Sequence, residues 1–167
     1  MNNMHRNLSG FAALVILAAS VAASSKDEQQ IRALYAKFGH AMKTLNLRAI
    51  EAAEAPGFTE TEMGKTYTAQ EANSQMKQQF AMTKQVTKMN LKVTSIKVTG
   101  KTAAATTSYS FTAKVTGRDK KLHTLSVSGT TAEDLMKTSK GWMFKSERDT
   151  GSKIMMDGKP FSPGAGG

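Results

Sequence analysis

Residues 103–115 alternate between two kinds of side chain. The first set is mostly apolar and consists of Ala103, Ala105, Thr107, Tyr109, Phe111, Ala113 and Val115. The second set is small and polar and includes Thr106, Ser108, Ser110, Thr112 and Lys114. Because neighbouring side chains of a β-strand point to opposite faces, the segment predicts a strand with one face in the core and the other in water.

The alternation continues in the neighbouring segments, which predicts a sheet rather than a single strand. After a turn at residues 117–121, the inward positions are His123, Leu125, Val127, Gly129 and Thr131. Before Gly100 the parity changes at Thr94-Ser95, which predicts a β-bulge there. In the last hairpin, strict alternation places four side chains on one face: Trp142, Phe144, Ser146 and Arg148.

The first half of the chain has a helical period instead. Apolar residues recur at three- and four-residue steps from Ile31 to Leu45, which predicts one long amphipathic helix. A short second helix is predicted before Pro56. Capping boxes predict the starts of the first and third helices, at Ser25 with Glu28 and at Thr68 with Glu71. Three helices followed by a curved antiparallel sheet predict an α+β fold.

The N-terminal segment predicts export. Arg6 precedes an apolar run over residues 11–19 that is too short to span a membrane, and small residues follow it. This pattern is typical of a signal peptide cleaved after Ala23, with an uncleaved anchor as the alternative. The chain has no Cys, so it contains no disulfide. We expect a periplasmic or secreted bacterial protein: signal peptide 1–23, one domain over 24–160, a flexible tail over 161–167, and no stable membrane insertion after signal removal.

The charge of the chain says little about its partners. The formal net charge is +10, and an excess of positive charge favours anionic partners. The lysines are dispersed, however, and only residues 118–121 form a tight basic cluster. The interleaving of aromatic and basic residues that is typical of a nucleic-acid-binding face is missing. We therefore expect a solubilising surface and no nucleic-acid partner.

Four stretches carry a resemblance to a known superfamily: IRALYAKFGHAMKTLNLRAIEAA, PGFTETEMGKTYTAQE, DLMKTSKGWMFKSERD and MMDGKP. Together they resemble the nuclear-transport-factor-two-like superfamily, and most closely the SnoaL-like exported domains of unknown function. The resemblance extends from Ser25 to Pro160. It implies a cone-shaped, cystatin-like fold in which the sheet wraps the long helix. The closed end of such a cone is core, and the open end is often a pocket for a small molecule.

Inward positions of this cone are the candidates for a site. The ligand-binding candidates are Tyr35, Tyr109, Phe111, Trp142 and Arg148. Glu60 or Glu62 is a candidate general base, with Tyr35 or Tyr109 polarising a carbonyl. The alternatives are solvated loop carboxylates and ordinary core aromatic residues. Glu133, Asp134 and His40 are predicted to be solvated. No pair of histidines has the spacing of a metal site, so we expect neither metal nor cofactor.

The sequence leaves three functions open. Without a matched acid–base set, the first is a non-catalytic module that binds a small ligand in the cavity. The alternative is a cofactor-free isomerase or lyase in the same cavity. A structural role through the outer face of the sheet is the third. Because that face is rich in Ser and Thr where a tight interface has an apolar core, we expect a monomer or a weak homodimer.

Overall fold

The structure is a computed structural model that describes residues 9–161, with side chains from Lys26 onward. Of the predicted signal peptide, the structure describes only the backbone from Ser9 to Ala23. Of the predicted tail, it describes only Phe161. The helices are α1 (Ser9–Lys43), α2 (Leu47–Glu51) and α3 (Ala69–Met82). The strands are β1 (Glu54–Glu62), β2 (Lys65–Thr68), β3 (Thr83–Thr99), β4 (Thr102–Thr116), β5 (Leu122–Thr138), β6 (Gly141–Met156) and β7 (Lys159–Pro160).

The seven strands found in residues 9–161 belong to one sheet with the order β2-β1-β6-β5-β4-β3, and β7 pairs with β6. Neighbouring strands are antiparallel except β1 and β6, which are parallel. Helix α1 packs on β3 and β6, whereas α3 packs mainly on β1 and β2. The predicted α+β fold, with one long and two shorter helices on a curved sheet, is confirmed.

The helix boundaries confirm one of the two predicted capping boxes. At the start of α3, the Thr68 hydroxyl accepts a bond from the Glu71 N–H, and the Glu71 carboxylate accepts one from the Thr68 N–H at 2.8 Å. The prediction that the first helix starts at Ser25 is wrong, because α1 already begins at Ser9. None of the helices that the structure describes combines the length and apolarity needed to cross a bilayer.

The core lies between α1 and the middle of the sheet. Its buried cluster consists of Ile31, Tyr35, Ala53, Phe58, Ala103, Ala105, Leu135, Trp142 and Phe144. The Phe144 ring makes edge-to-face contacts with Tyr35 and Phe38, with ring centroids 5.1 Å and 5.3 Å apart. Such pairs stabilise a fold beyond the apolar area that they bury. Phe144 therefore fixes α1 against β6.

A second contact holds α1 to the turn between β5 and β6. The Asp27 carboxylate accepts a hydrogen bond from the Trp142 indole N–H at 3.1 Å and forms an ion pair with Lys137 at 2.5 Å. The bond from Lys137 and the bond from the indole hold the pKa of Asp27 below its ordinary value. We call these three residues the Asp27 clasp. It closes the end of the core where the last hairpin begins.

Two of the β-bulges in the sheet bear directly on the predicted core and site positions. The predicted bulge at Thr94 is confirmed, because the register with β4 shifts between Val93 and Ser95. A second bulge lies in β6, where Phe144 pairs with Leu135 but Ser146 pairs with Asp134, so that Lys145 is the extra residue. The extra residue reverses the parity of the residues that follow it, as far as a further register shift at Thr150.

The prediction that Ser146 and Arg148 share a face with Trp142 and Phe144 is therefore wrong. Arg148 pairs with Ala132 and is exposed on the outer face of the sheet. The prediction of a solvated Glu133 is also wrong, because this residue is only 4% exposed and lies on the inner face. Asp134, its neighbour, is exposed as expected.

Candidate functional site

Three glutamates form a row across adjacent strands inside the cone. Glu147 on β6 pairs with Glu60 on β1 and with Glu133 on β5. Paired residues lie on the same face of a sheet, and neighbouring strands are about 4.8 Å apart. The row continues into the core at Ala105, which pairs with Glu133 and is buried. Three carboxyl groups thus lie side by side in the interior.

Asp149 and Glu62 extend this acidic surface. Asp149 pairs with the buried Thr131, so it lies on the inner face two positions beyond Glu147. Glu62 lies two positions beyond Glu60 in the same strand and opposite the exposed Lys65 of β2. We call Glu60, Glu133, Glu147 and Asp149 the acidic row.

Glu133 is the most deeply buried member of the acidic row. Its Oε1 atom accepts hydrogen bonds from the hydroxyls of Thr107, at 2.9 Å, and Thr131. Its Oε2 atom and the Tyr35 hydroxyl are both buried, and a hydrogen bond from the phenol to the Glu133 carboxyl group acts on the pKa of both residues. Tyr35 on α1 therefore faces the most buried carboxyl group of the acidic row.

The environment of the acidic row favours protonated carboxyl groups. Burial raises the pKa of Glu147 to about 8, and the negative charges of Glu60, Glu133 and Asp149 add to the effect. The pKa of Glu60 is raised by burial and by the charge of Glu62. Burial also raises the pKa of Glu133, although the bonds from the two threonines oppose the change. At neutral pH, Glu147 is therefore a carboxylic acid that lies beside the carboxyl groups of Glu60 and Glu133.

Two tyrosines from different elements approach the acidic row. Tyr35 lies on α1, and burial together with the charge of Glu133 raises its pKa. Tyr109 lies on β4, where burial, with the charges of Asp149 and Glu147, raises its pKa to about 12. Both phenols stay protonated and can donate hydrogen bonds.

The position of Tyr109 depends on a glycine in the neighbouring strand. A Cβ atom at Gly129 would lie 3.0 Å from the Tyr109 hydroxyl and 2.5 Å from the backbone oxygen of Gly151. Both distances are shorter than a relaxed contact. The absence of a side chain at Gly129 therefore leaves the space in which the phenol lies over β5.

The structure brings together only some of the predicted site residues. Tyr35, Tyr109 and Glu60 surround Glu147, and Glu62 lies at the edge of the same surface. Phe111 is half-buried on the same strand and face as Tyr109, one step further from Ala105. Trp142 belongs to the Asp27 clasp instead, beside a separate groove between α1 and α2. Arg148 is on the other face, so it does not reach the acidic row.

Three functional candidates were missed by the sequence: Glu133, Glu147 and Asp149. For Glu133 a signal was present, because it continues the inward parity that runs from His123 to Thr131. For Glu147 and Asp149 there was none, since both parities of the segment after Lys145 are polar or charged. Within the described part of the chain, no three His, Asp or Glu side chains are placed to hold a metal ion.

The fold is shared with several solved proteins. The chain is similar to a nuclear transport factor 2 (NTF2-like) superfamily protein from Salmonella enterica serovar Typhimurium, with 19% identity over 86% of this chain and 97% of that one, and a TM-score of 0.62. A ketosteroid isomerase-like protein from Erwinia carotovora atroseptica matches with 13% identity, coverage of 80% and 95%, and a TM-score of 0.57.

A conserved protein from Planctomyces limnophilus matches with 12% identity, coverage of 79% and 98%, and a TM-score of 0.66. At this level of identity the likeness concerns the fold. The sequence itself matches no protein-family model and none of the curated proteins.

Proposed function

We propose that this chain, which has the nuclear-transport-factor-two-like fold, is a cofactor-independent acid–base catalyst that acts on a small organic molecule in the cone. The pairing of Glu60 with Glu147 carries the proposal, because it places an ionisable carboxylate next to a carboxyl group that is protonated at neutral pH. Two neighbouring carboxyl groups with separated pKa values are the arrangement that supplies a general base and a general acid together. This proposal replaces the non-catalytic binding module that the sequence favoured.

Each group has a role in proton transfer. The Glu60 carboxylate would remove a proton from a carbon atom next to a carbonyl group, and Glu147 would give its proton to another atom of the same molecule. If that atom is carbon, the product is an isomer; if it is a hydroxyl oxygen, water leaves and a double bond forms. Tyr35 and Tyr109 would donate hydrogen bonds to the carbonyl oxygen as negative charge develops on it. The name of the Erwinia neighbour, ketosteroid isomerase-like, agrees with proton transfer in this fold.

Deuterium exchange tests the proposal without knowledge of the natural substrate. A panel of small ketones and enones is incubated with the protein in D₂O, and deuterium at the position next to the carbonyl is followed by NMR. We expect at least one compound to exchange faster with the protein than without it. Glu147→Gln and Glu60→Gln should lower that rate by about 10²–10⁴-fold, the usual contribution of a general acid or base.

Arg148→Gln is the matched control, because it changes a charge at the neighbouring position on the outer face. It should leave the exchange rate unchanged. A rate that is equal in the wild-type protein and in both glutamate variants, for every compound of the panel, would contradict the acid–base role.

Export remains a proposal as well, and the support for it is the pattern of residues 1–23. Expression of the whole chain in a bacterium, followed by N-terminal sequencing of the periplasmic and medium fractions, is expected to find Ser24 as the first residue. A variant with charged residues in the apolar run, Leu14→Lys with Leu17→Lys, should stay in the cytoplasm with Met1 in place. Recovery of exported protein that still begins with Met1 would contradict cleavage.

A further inference from the structure

The outer face of the sheet carries positive charge that the proposed catalytic site does not use. We infer that part of this face is a binding surface for an acidic polysaccharide, a sugar chain with repeated anionic groups. The inference is independent of the acid–base proposal, because the two sites lie on opposite faces of the sheet. It rests on the register of the strands and on the charges that this register places together.

Hydroxyl side chains form the middle of this surface. The outer positions of β4 pair with hydroxyl residues of β5 at three successive steps: Ser108 with Thr130, Ser110 with Ser128, and Thr112 with Ser126. We call these six residues the hydroxyl patch. Their side chains are half-buried or exposed, and a hydroxyl group can both donate and accept hydrogen bonds. The patch can therefore bind sugar hydroxyls as well as anionic oxygens.

Lysines border the hydroxyl patch on three sides. Lys88 and Lys92 stand beside it on β3, and Lys153 stands beside it on β6. Lys114 lies at one end of the patch on β4. Lys88, Lys92 and Lys153 are exposed, and no ion pair described for residues 26–161 includes any of the four lysines. Their charges are thus open to an external partner.

Negative charge is nearly missing from this side of the sheet. At the outer positions of β3 to β6, only Asp134 has a carboxyl group, and it pairs with Ala104 outside the hydroxyl patch. Asp119 and Asp157 lie in turns, and both already contact His123. The other carboxyl groups of these strands belong to the acidic row on the inner face. The positive charges of the outer face therefore add together and attract anions.

The spacing of the lysines favours a polymer over a single small anion. Lys88 and Lys92 are four residues apart without a register shift between them, which separates their Cα atoms by about 13 Å. Lys153 lies three strands away from β3, at about 14 Å. One small anion does not neutralise cations at these distances, whereas anionic groups repeated along a chain can contact each of them.

The side chains of this surface favour a polysaccharide over other polyanions. No aromatic residue stands at an outer position of β3 to β6, so bases of a nucleic acid have nothing to stack on. The hydroxyl patch offers no apolar side chain for insertion into a lipid bilayer. A second copy of this chain would bring lysines against lysines. Hydroxyls and lysines together match the hydroxyls and anionic groups of an acidic sugar chain.

Dextran sulfate and uncharged dextran test the inference, because the two polymers differ only in their sulfate groups. Binding to the full chain is measured by calorimetry at low salt. We expect dextran sulfate to bind and dextran not to bind, and we expect the affinity to fall as sodium chloride is added. A variant that combines Lys88→Gln, Lys92→Gln and Lys153→Gln should bind dextran sulfate at least about tenfold more weakly.

The matched control combines Lys37→Gln, Lys43→Gln and Lys77→Gln, which remove the same charge from exposed positions of α1 and α3. It should keep the affinity for dextran sulfate within about threefold of wild type. Circular dichroism checks that both variants are folded.

Four results would overturn the inference. The first is an equal loss of affinity in the two triple variants, which would mean that only net charge matters. The second is equal binding of dextran and dextran sulfate. The third is tighter binding of a thymidine oligonucleotide or of phosphatidylglycerol vesicles than of dextran sulfate. The fourth is a stable dimer that the variant at Lys88, Lys92 and Lys153 dissociates, because the face would then be an interface between copies of the chain.

Discussion

Replacing Trp142 by alanine is expected to lower the free energy of unfolding by about 3–5 kcal/mol, the usual result of truncating a buried aromatic residue. Trp142 is only 5% exposed and belongs to the buried cluster with Phe144. Its indole N–H also donates to Asp27, and that bond is lost with the ring. Because Trp142 is the only Trp of the chain, unfolding in denaturant is followed by far-UV circular dichroism rather than by fluorescence.

Two variants control this experiment. Trp142→Phe keeps most of the apolar volume but removes the N–H. It should therefore lower the free energy of unfolding by much less than Trp142→Ala does. Met63→Ala changes a residue that is 75% exposed and should stay within about 0.5 kcal/mol of the wild-type protein. A loss below about 1 kcal/mol for Trp142→Ala would mean that the Asp27 clasp and its surroundings contribute little to the fold.

The Asp27 clasp also links the fold to the proposed cleavage after Ala23. In a chain that begins at Ser24, Asp27 would lie in the first turn of the helix, where a negative charge is favourable. The residues that hold the clasp, Lys137 and Trp142, come from the last hairpin. Removal of the signal segment would thus leave the contact between the start of the helix and the end of the sheet in place.

Most of the fold could be predicted because its signals are local. The capping box of Thr68 with Glu71 requires two residues three positions apart, and the alternation of β4 is complete within one strand. The bulge at Thr94 could be predicted because apolar residues stand on both sides of it, so the change of parity is visible in the sequence.

The bulge at Lys145 could not be predicted in that way. After Lys145 the segment Ser146-Glu147-Arg148-Asp149 is polar at every position, so a shift of one residue leaves no trace in the hydrophobic pattern. That shift nevertheless decides whether Arg148 or Glu147 faces the interior. The sequence therefore predicted Tyr35, Tyr109 and Glu60 at the site, but it placed a guanidinium where the structure has a carboxyl group.

Burial of carboxyl groups also explains why the site is hard to see in a sequence. Glutamate is rarely fully buried, so the ordinary expectation for Glu133 is a solvated side chain. Its burial depends on the hydroxyls of Thr107 and Thr131, which come from two strands and lie opposite each other only after pairing. The three residues are unremarkable separately and form a buried polar network together.

Glu147 is expected to make the free energy of unfolding depend on pH, and this can be measured without a ligand. In the unfolded chain a glutamate titrates near its ordinary pKa of about 4.3, whereas in the folded chain burial raises the pKa of Glu147 to about 8. Between these values the folded state holds a proton that the unfolded state has released. The protein should therefore lose stability as the pH rises from about 5 through 8, and the contribution of Glu147 is fully present only below the unfolded pKa.

Glu147→Gln removes this titration, since an amide resembles the protonated carboxyl group at every pH. One pKa unit corresponds to about 1.4 kcal/mol, so the shift sets an upper limit of about 5 kcal/mol, and the partial exposure of the side chain reduces the expected value to about 2–4 kcal/mol. The glutamine variant should differ from the wild-type protein by no more than about 1 kcal/mol at pH 5 and exceed its free energy of unfolding by the full amount at pH 9.

Urea denaturation at pH 5, 7 and 9 measures this difference, with Arg148→Gln as the control on the opposite face. His123, whose pKa is raised by Asp157 and Asp119, and the other raised carboxyl groups, Glu60 and Glu133, also reduce stability as the pH rises. They do so in all variants, however, so the difference between the glutamine variant and the wild-type protein reports mainly on Glu147. A difference that is the same at pH 5 and pH 9 would show that Glu147 titrates as a solvated residue, and the acid–base pair with Glu60 would then have to be abandoned.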